Sequence, residues 1–291
     1  MFLKARKPST NPQFRSLLQK AVRRGRSDVV ARVVDLLEKL GDQRWLRSRC
    51  AVIGAEECWP KLCDLDPNLS EGGRIRWFVR VAESQKFKDA AGLGTLGYSA
   101  SEGDFSVFNG ADSDRTIKII AEGIKRPADY WNWLIENSRA RNLSWKIQKM
   151  RSFVPWATWP WDKAFIMASA YLTAFQPSEE VLENCGANDG DFPYWVAIDK
   201  HTDEGKIALR EVAKKIGCPY RKLNWVSYYC EGAVVNNLYA SPWWDREKQW
   251  RLGCIGLTIE EAEQLWQSAK TEFCYAVREH AKKLEADISL V

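Results

Sequence analysis

Apolar residues recur along this chain at three- and four-residue steps, the spacing of one face of an α-helix. Leu17, Leu18, Ala21 and Val22 form one stripe and Val29, Val30, Val33, Val34, Leu37 and Leu40 a second, with Gly25-Arg26-Ser27-Asp28 between them. This predicts a helical hairpin, with Ser27 or Asp28 placed to cap its second helix and Gly41 to end it. Further helices are predicted over residues 43–57, 75–88, 115–123, 128–153 (with Pro127 in the first turn), 162–175, 178–184, 204–216, 223–238 and 245–252. A last helix opens on the capping box Thr258-x-x-Glu261 and runs to about Leu284. No strand-like alternation is present, so the expected fold is all-α without a substantial β-sheet. Residues 92–114, rich in Gly, Ser and Asp, read as a loop or junction. They divide the chain into two packed helical subdomains, residues 1–91 and 115–291.

The composition is that of a globular protein, 45% apolar and 28% charged over 291 residues, and no apolar run approaches the roughly 18–20 residues that span a bilayer. The basic start runs into Pro8 and Pro12 rather than a signal-peptide core, so a cytoplasmic protein without a membrane partner is expected. Net charge is +5, unevenly placed: residues 1–50 hold 13 Lys and Arg against 4 acids. Such a local field suits a polyphosphate partner, with Arg23, Arg24 and Arg26 as candidate contacts, to DNA if the resemblances below hold. A solvated basic helix face is the plainer reading of the same charges.

Several chemistries are disfavoured. The eight Cys contain no C-x-x-C and only two His accompany them, so no metal site can be assembled from local spacing and reduced, buried thiols are expected. There is no phosphate-binding G-x-x-x-x-G-K-[ST] loop, and Gly92-Leu-Gly-Thr-Leu-Gly97 follows no strand, which argues against a nucleotide cofactor. Neither a G-x-S-x-G elbow nor an H-E-x-x-H pair occurs, and no cofactor is expected.

Two resemblances carry the functional expectation. Residues 17–60, through Arg23-Arg24-x-x-Ser27-Asp28, the helix to Leu40 and Trp45-Leu-Arg-Ser-Arg-Cys-Ala-Val-Ile-Gly-Ala-Glu-Glu57, resemble the helical collar domain of clamp-loader-related AAA+ ATPases. That implies an assembly module, here without its motor. Trp195-Val-Ala-Ile-Asp199-Lys-His201-Thr resembles the apolar-apolar-Asp-x-His segment of the helix-hairpin-helix DNA glycosylases. It implies Asp199 as the carboxylate that stabilises positive charge on the sugar or orients water, with His201 steadying it. As the plainer reading, an Asp at that place caps a helix or closes a turn. The family hairpin is replaced at best by Cys185-Gly-Ala-Asn-Asp-Gly190, and no Lys lies between Val181 and Ile198 to act as a Schiff-base nucleophile. The expected activity is therefore a monofunctional glycosylase that flips a damaged or modified base and hydrolyses its bond, in repair or in defence against phages with modified DNA. Trp195, Trp156, Trp159 and Trp161 are the candidate base-pocket residues, and Lys200 and Lys206 candidate phosphate ligands. Packing within the core is the competing use of the tryptophans. The alternative function is a non-catalytic DNA-binding or assembly module related to the collar.

Overall fold

The structure, a computed structural model, describes residues 11–176, 180–186 and 191–290. It is all-α, with these α-helices and no sheet among the described residues: α1 Asn11–Arg23, α2 Ser27–Lys39, α3 Gln43–Cys58, α4 Glu71–Glu83, α5 Asp89–Ser101, α6 Asp114–Lys125, α7 Pro127–Ser138, α8 Ser144–Phe153, α9 Pro160–Phe175, α10 Asp203–Lys215, α11 Tyr220–Ser227, α12 Pro242–Gly253 and α13 Ile259–Ser289. None of the described helices is long and apolar enough to cross a membrane.

The expected hairpin is α1 and α2. Gly41 takes a left-handed φ of 84° and donates to Glu38 O, while Asp42 N donates to Leu37 O, so the glycine closes α2 as its position predicts. Neither Ser27 nor Asp28 caps α2, which begins at Ser27 itself. At α13 both halves of the capping box are made, Glu261 N to Thr258 Oγ1 at 3.2 Å and Thr258 N to Glu261 Oε2 at 2.8 Å.

The largest departure lies at residues 92–114. Instead of a junction, Asp89–Ser101 is a buried helix against which α3, α6, α9 and α12 all pack. Its glycines make this possible. A Cβ on Gly92 would sit 2.5 Å from Trp244 N, and Gly94 and Gly97 face Phe165 and Ile120 at similarly close range. A helix enclosed on every side has no polar face, so it shows no stripe in the sequence. Apolar residues from Phe14 to Ile288 consequently join one core cluster that passes through α5.

Smaller differences have local causes. The helix expected over 128–153 breaks into α7 and α8 because Asn142 adopts a left-handed conformation, φ 57°, after a 3₁₀ turn at Arg139–Arg141. The one expected over 223–238 ends early: after α11 the chain widens into a π turn at Tyr228–Gly232, where Ala233 N reaches Tyr228 O at 2.7 Å. Of the short helix expected over 178–184, residues 178 and 179 lie outside the described residues and 180–184 are irregular. The possible hairpin substitute at 185–190 and the basic residues Lys4, Arg6 and Lys7 likewise fall wholly or mainly outside them.

Candidate active site

The Asp199–His201 segment is a tight turn between the single 3₁₀ turn Tyr194–Ala197 and α10. Thr202 holds it from below: its hydroxyl donates to Asp199 O at 3.0 Å and accepts from Gly205 N at 3.1 Å, capping α10. The first turn of α10 presses so closely on Asp199 that only glycine fits at 205. The Asp199 carboxylate is thereby turned inward. It accepts from Lys20 Nζ, from Ser16 Oγ at 3.3 Å and from His201 N at 2.9 Å, and lies 2.9 Å from His201 Nδ1. Lys20 is wholly buried. Burial alone would raise the pKa of Asp199, but the His201 and Lys20 charges and hydrogen bonds outweigh it and hold the carboxyl well below its ordinary range.

Beside this turn lies a cavity of about 420 Å³, inside the ~300–1,000 Å³ range of small-molecule sites. It is built by residues remote in sequence: Arg23 on α1, Arg49 and Glu56 on α3, Thr95 on α5, Trp159 and Asp162 at the start of α9, Lys200 and His201 on the turn, and an aromatic wall of Trp161, Trp225, Tyr228, Tyr229 and Trp244. From α12, Trp244, Glu247 and Arg251 face it together, at the i, i+3, i+7 spacing of one helix face. Trp159 is 65% exposed and marks the mouth.

The ionisable groups fall into pairs. Arg49 holds Asp162 through both Nη atoms, at 2.5 and 3.3 Å. Arg23 bridges Glu56 and Glu57, and Lys88 lies 3.1 Å from Glu57. Burial works against the Glu56 charge, yet Arg23, Lys88 and Arg49 bring its pKa down to about 2. Glu247 is different. Its Oε1 accepts from the Tyr229 hydroxyl, its Oε2 has no hydrogen-bond partner among the described residues, Arg251 Nε stands 3.8 Å from Oε1, and burial raises its pKa. Lys200 has no carboxylate partner among the described residues; its Nζ lies 3.7 Å above the Trp225 ring and 4.0 Å from the Tyr228 ring, and burial lowers its pKa to about 7.

The expected site residues therefore separate. His201, Lys200, Trp159 and Trp161 stand on the cavity wall. Asp199 is not on this wall; it lines a much smaller neighbouring pocket and its carboxylate lies 2.9 Å from the His201 Nδ1 atom. With Nδ1 engaged by Asp199, the half-exposed His201 ring leaves Nε2 for the cavity side. Trp195 packs elsewhere, against Phe273 and beneath Lys270, and Trp156 meets Phe153 at a tilt of 59° under Arg47. Neither belongs to this wall.

The basic turn is also corrected. Arg23 is 2% exposed and bound to Glu56 and Glu57, and Arg24 is bound to Glu231 at 2.9 Å, so internal carboxylates hold the charges that the sequence offers as phosphate contacts. Arg26 pairs with Asp28 at 2.8 Å and Lys206 with Asp203 at 3.1 Å near the surface. Lys200 lies on aromatic faces rather than on an open loop. Among the described residues no three His, Cys, Asp or Glu side chains converge as a metal-binding group. In comparisons with known proteins, no family model, no curated protein and no solved structure matches the chain.

Proposed function

We propose that the cavity receives one nucleobase turned out of DNA and that the protein hydrolyses the N-glycosidic bond holding it. The observation that carries this reading is the pairing, in one aromatic-walled cavity, of a buried carboxyl with raised proton affinity and an imidazole oriented by a carboxylate. Indole and phenol walls suit a planar ring. The protein's own cations already occupy several of the π faces, Lys200 on Trp225 and Tyr228 and Arg251 4.1 Å over Trp250 and 4.7 Å over Trp225, which disfavours a cationic ligand.

The chemistry follows from the two groups. His201 Nε2 takes a proton from water as the water oxygen bonds to the anomeric carbon. The bond from that carbon to the base nitrogen breaks, and the Glu247 carboxyl gives its proton to the departing base. Asp199 fixes the imidazole and stabilises the imidazolium that forms, a positioning role. A non-catalytic collar-like module gripping DNA through the basic turn is the weaker reading, because Arg23 and Arg24 are engaged internally.

The test is release of free base, identified by mass spectrometry, from DNA carrying damaged or modified bases under single-turnover conditions. Wild-type protein is expected to leave abasic sites. His201→Gln and Glu247→Gln are each expected to slow release by about 10²–10⁴-fold, the usual contribution of a general acid or base. Absence of release from every modified DNA overturns the function; unchanged rates in both variants overturn the assignment of the groups.

A further inference from the structure

Two long stretches of the chain contain no Asp or Glu, residues 1–27 and 137–161. The fold treats their cations in opposite ways. In the first, Arg15, Lys20, Arg23 and Arg24 are each met by carboxylates from remote segments: Asp42, Asp199, Glu56 with Glu57, and Glu231. In the second, none of Arg139, Arg141, Lys146, Lys149 and Arg151 forms an ion pair among the described residues. What they meet is neutral: Arg141 donates to Ala174 O at 3.1 Å, Arg151 Nη1 stands 3.5 Å from Asn132 Oδ1, and Lys146 lies 5.7 Å from the Trp145 ring centre.

The helix in this second stretch is built to show its polar side. Ile147, Met150 and Phe153 of α8 face the core, while Trp145, Gln148 and Arg151 are exposed at the same three-residue step, with Lys146 and Lys149 half-buried. The stretch then ends at the cavity, because the 3₁₀ turn Val154–Trp156 carries the chain from α8 to Trp159 at the mouth. Two more exposed cations without an ion pair among the described residues stand beside it: Arg47, 4.8 Å from the Trp156 ring centre, and Lys163, one turn into α9 from Trp159. Like charges gathered without counter-charges repel one another, and a polyanion relieves that repulsion. An exposed indole among them, Trp145 at 57%, suits a nucleic acid, which offers flat ring faces beside its phosphates. A helix that lies in a membrane surface buries a whole apolar face, whereas α8 exposes one apolar side chain.

Building on the nucleobase reading, we infer that residues 139–163 form the surface that grips the DNA backbone and brings its bases to the cavity mouth, in place of the basic turn at residues 23–26. The salt dependence of binding to an unmodified DNA duplex, followed by fluorescence anisotropy with the intact protein, tests this. Each cation seated on a phosphate steepens the fall of log K with log salt by about 0.9. Changing Arg139, Lys146, Lys149 and Arg151 together to Gln is expected to make the slope shallower by about 2–4 and to weaken binding at least tenfold at ~0.1 M salt. Arg151→Gln alone is expected to make it shallower by about 1. A matched variant with Gln at Arg76, Lys118, Lys214 and Arg221, exposed cations of α4, α6, α10 and α11, loses the same charge and is expected to keep the wild-type slope to within about 1. An unchanged slope in the first variant, or an equal loss in the matched one, overturns the inference and leaves the nucleobase reading standing. Failure of the wild type to bind the duplex at low salt, or its binding to phosphatidylserine vesicles in place of the duplex, overturns both.

Discussion

Replacing Asp199 by Asn removes the counter-charge of Lys20, which is 0% exposed and keeps, among the described residues, Ser16 Oγ at 3.0 Å as its hydrogen-bond partner. Taking away one member of a buried ion pair leaves an uncompensated charge and costs about 3–5 kcal/mol. That is a large share of the about 5–15 kcal/mol that holds a typical domain folded. Asp199→Asn should therefore lower the urea midpoint strongly. Lys20→Met in the same chain should restore much of the loss, since no unpaired charge then stays buried. The pH dependence has a defined sign. In Asp199→Asn the buried Lys20 has a folded pKa below its unfolded one, so the penalty is full at low pH and is relieved as pH rises from the folded value towards the unfolded value. In the wild type the depressed pKa of Asp199 supplies stability that is complete above the unfolded carboxylate value and is lost as pH falls through the folded one. Denaturant titrations of the three proteins at several pH values measure all of this. A single variant within about 1 kcal/mol of wild type, well short of a broken buried pair, or a double variant no more stable than the single, would refute the reasoning.

Three further outcomes are expected. The pH–rate profile of base release should fall on the alkaline side as Glu247, whose pKa burial raises, ionises, and on the acid side as His201 protonates; Glu247→Gln should abolish the alkaline limb and keep the acid one. Gly92→Ala should lower thermal stability by several degrees, because the new methyl meets the Trp243–Trp244 backbone rather than a side chain able to turn away, and overpacking of that kind costs about 1–3 kcal/mol. Trp159→Ala should leave stability within about 0.5 kcal/mol, as expected for an exposed side chain, yet weaken base release, measured by denaturation and single-turnover assays on the same preparation.

The sequence carries most of the fold in its amphipathic stripes, and α1, α2, α3, α6, α9, α10, α12 and α13 follow from them. It hides α5 because Gly92, Gly94 and Gly97 serve backbone contacts on different sides, and a helix buried all round has no periodic signal. The site is legible only where it is local. Asp199 and His201 are two residues apart and a motif can find them, and the Trp-Pro-Trp stretch at 159–161 announces an aromatic surface. Glu247, Arg49, Glu56 and Tyr229 are brought together by packing over separations that no spacing rule covers; Tyr229 meets Glu247 across 18 residues and Arg49 meets Asp162 across 113. The same remoteness misleads at the basic turn. Arg24 reads as a surface cation until Glu231, 207 residues away, is seen to neutralise it.

The claim that a base enters the Trp-lined cavity is tested most directly by filling the cavity. Thr95, on α5, faces it and is replaced by Trp, with the helical circular-dichroism signal checked to confirm the fold. A DNA duplex carrying 2-aminopurine beside the target base reports unstacking as a rise in fluorescence. Wild-type protein is predicted to give that rise, and Thr95→Trp to bind the same duplex without it. A wild type that binds with no rise, or a filled variant that unstacks the base as well as wild type does, would contradict the account.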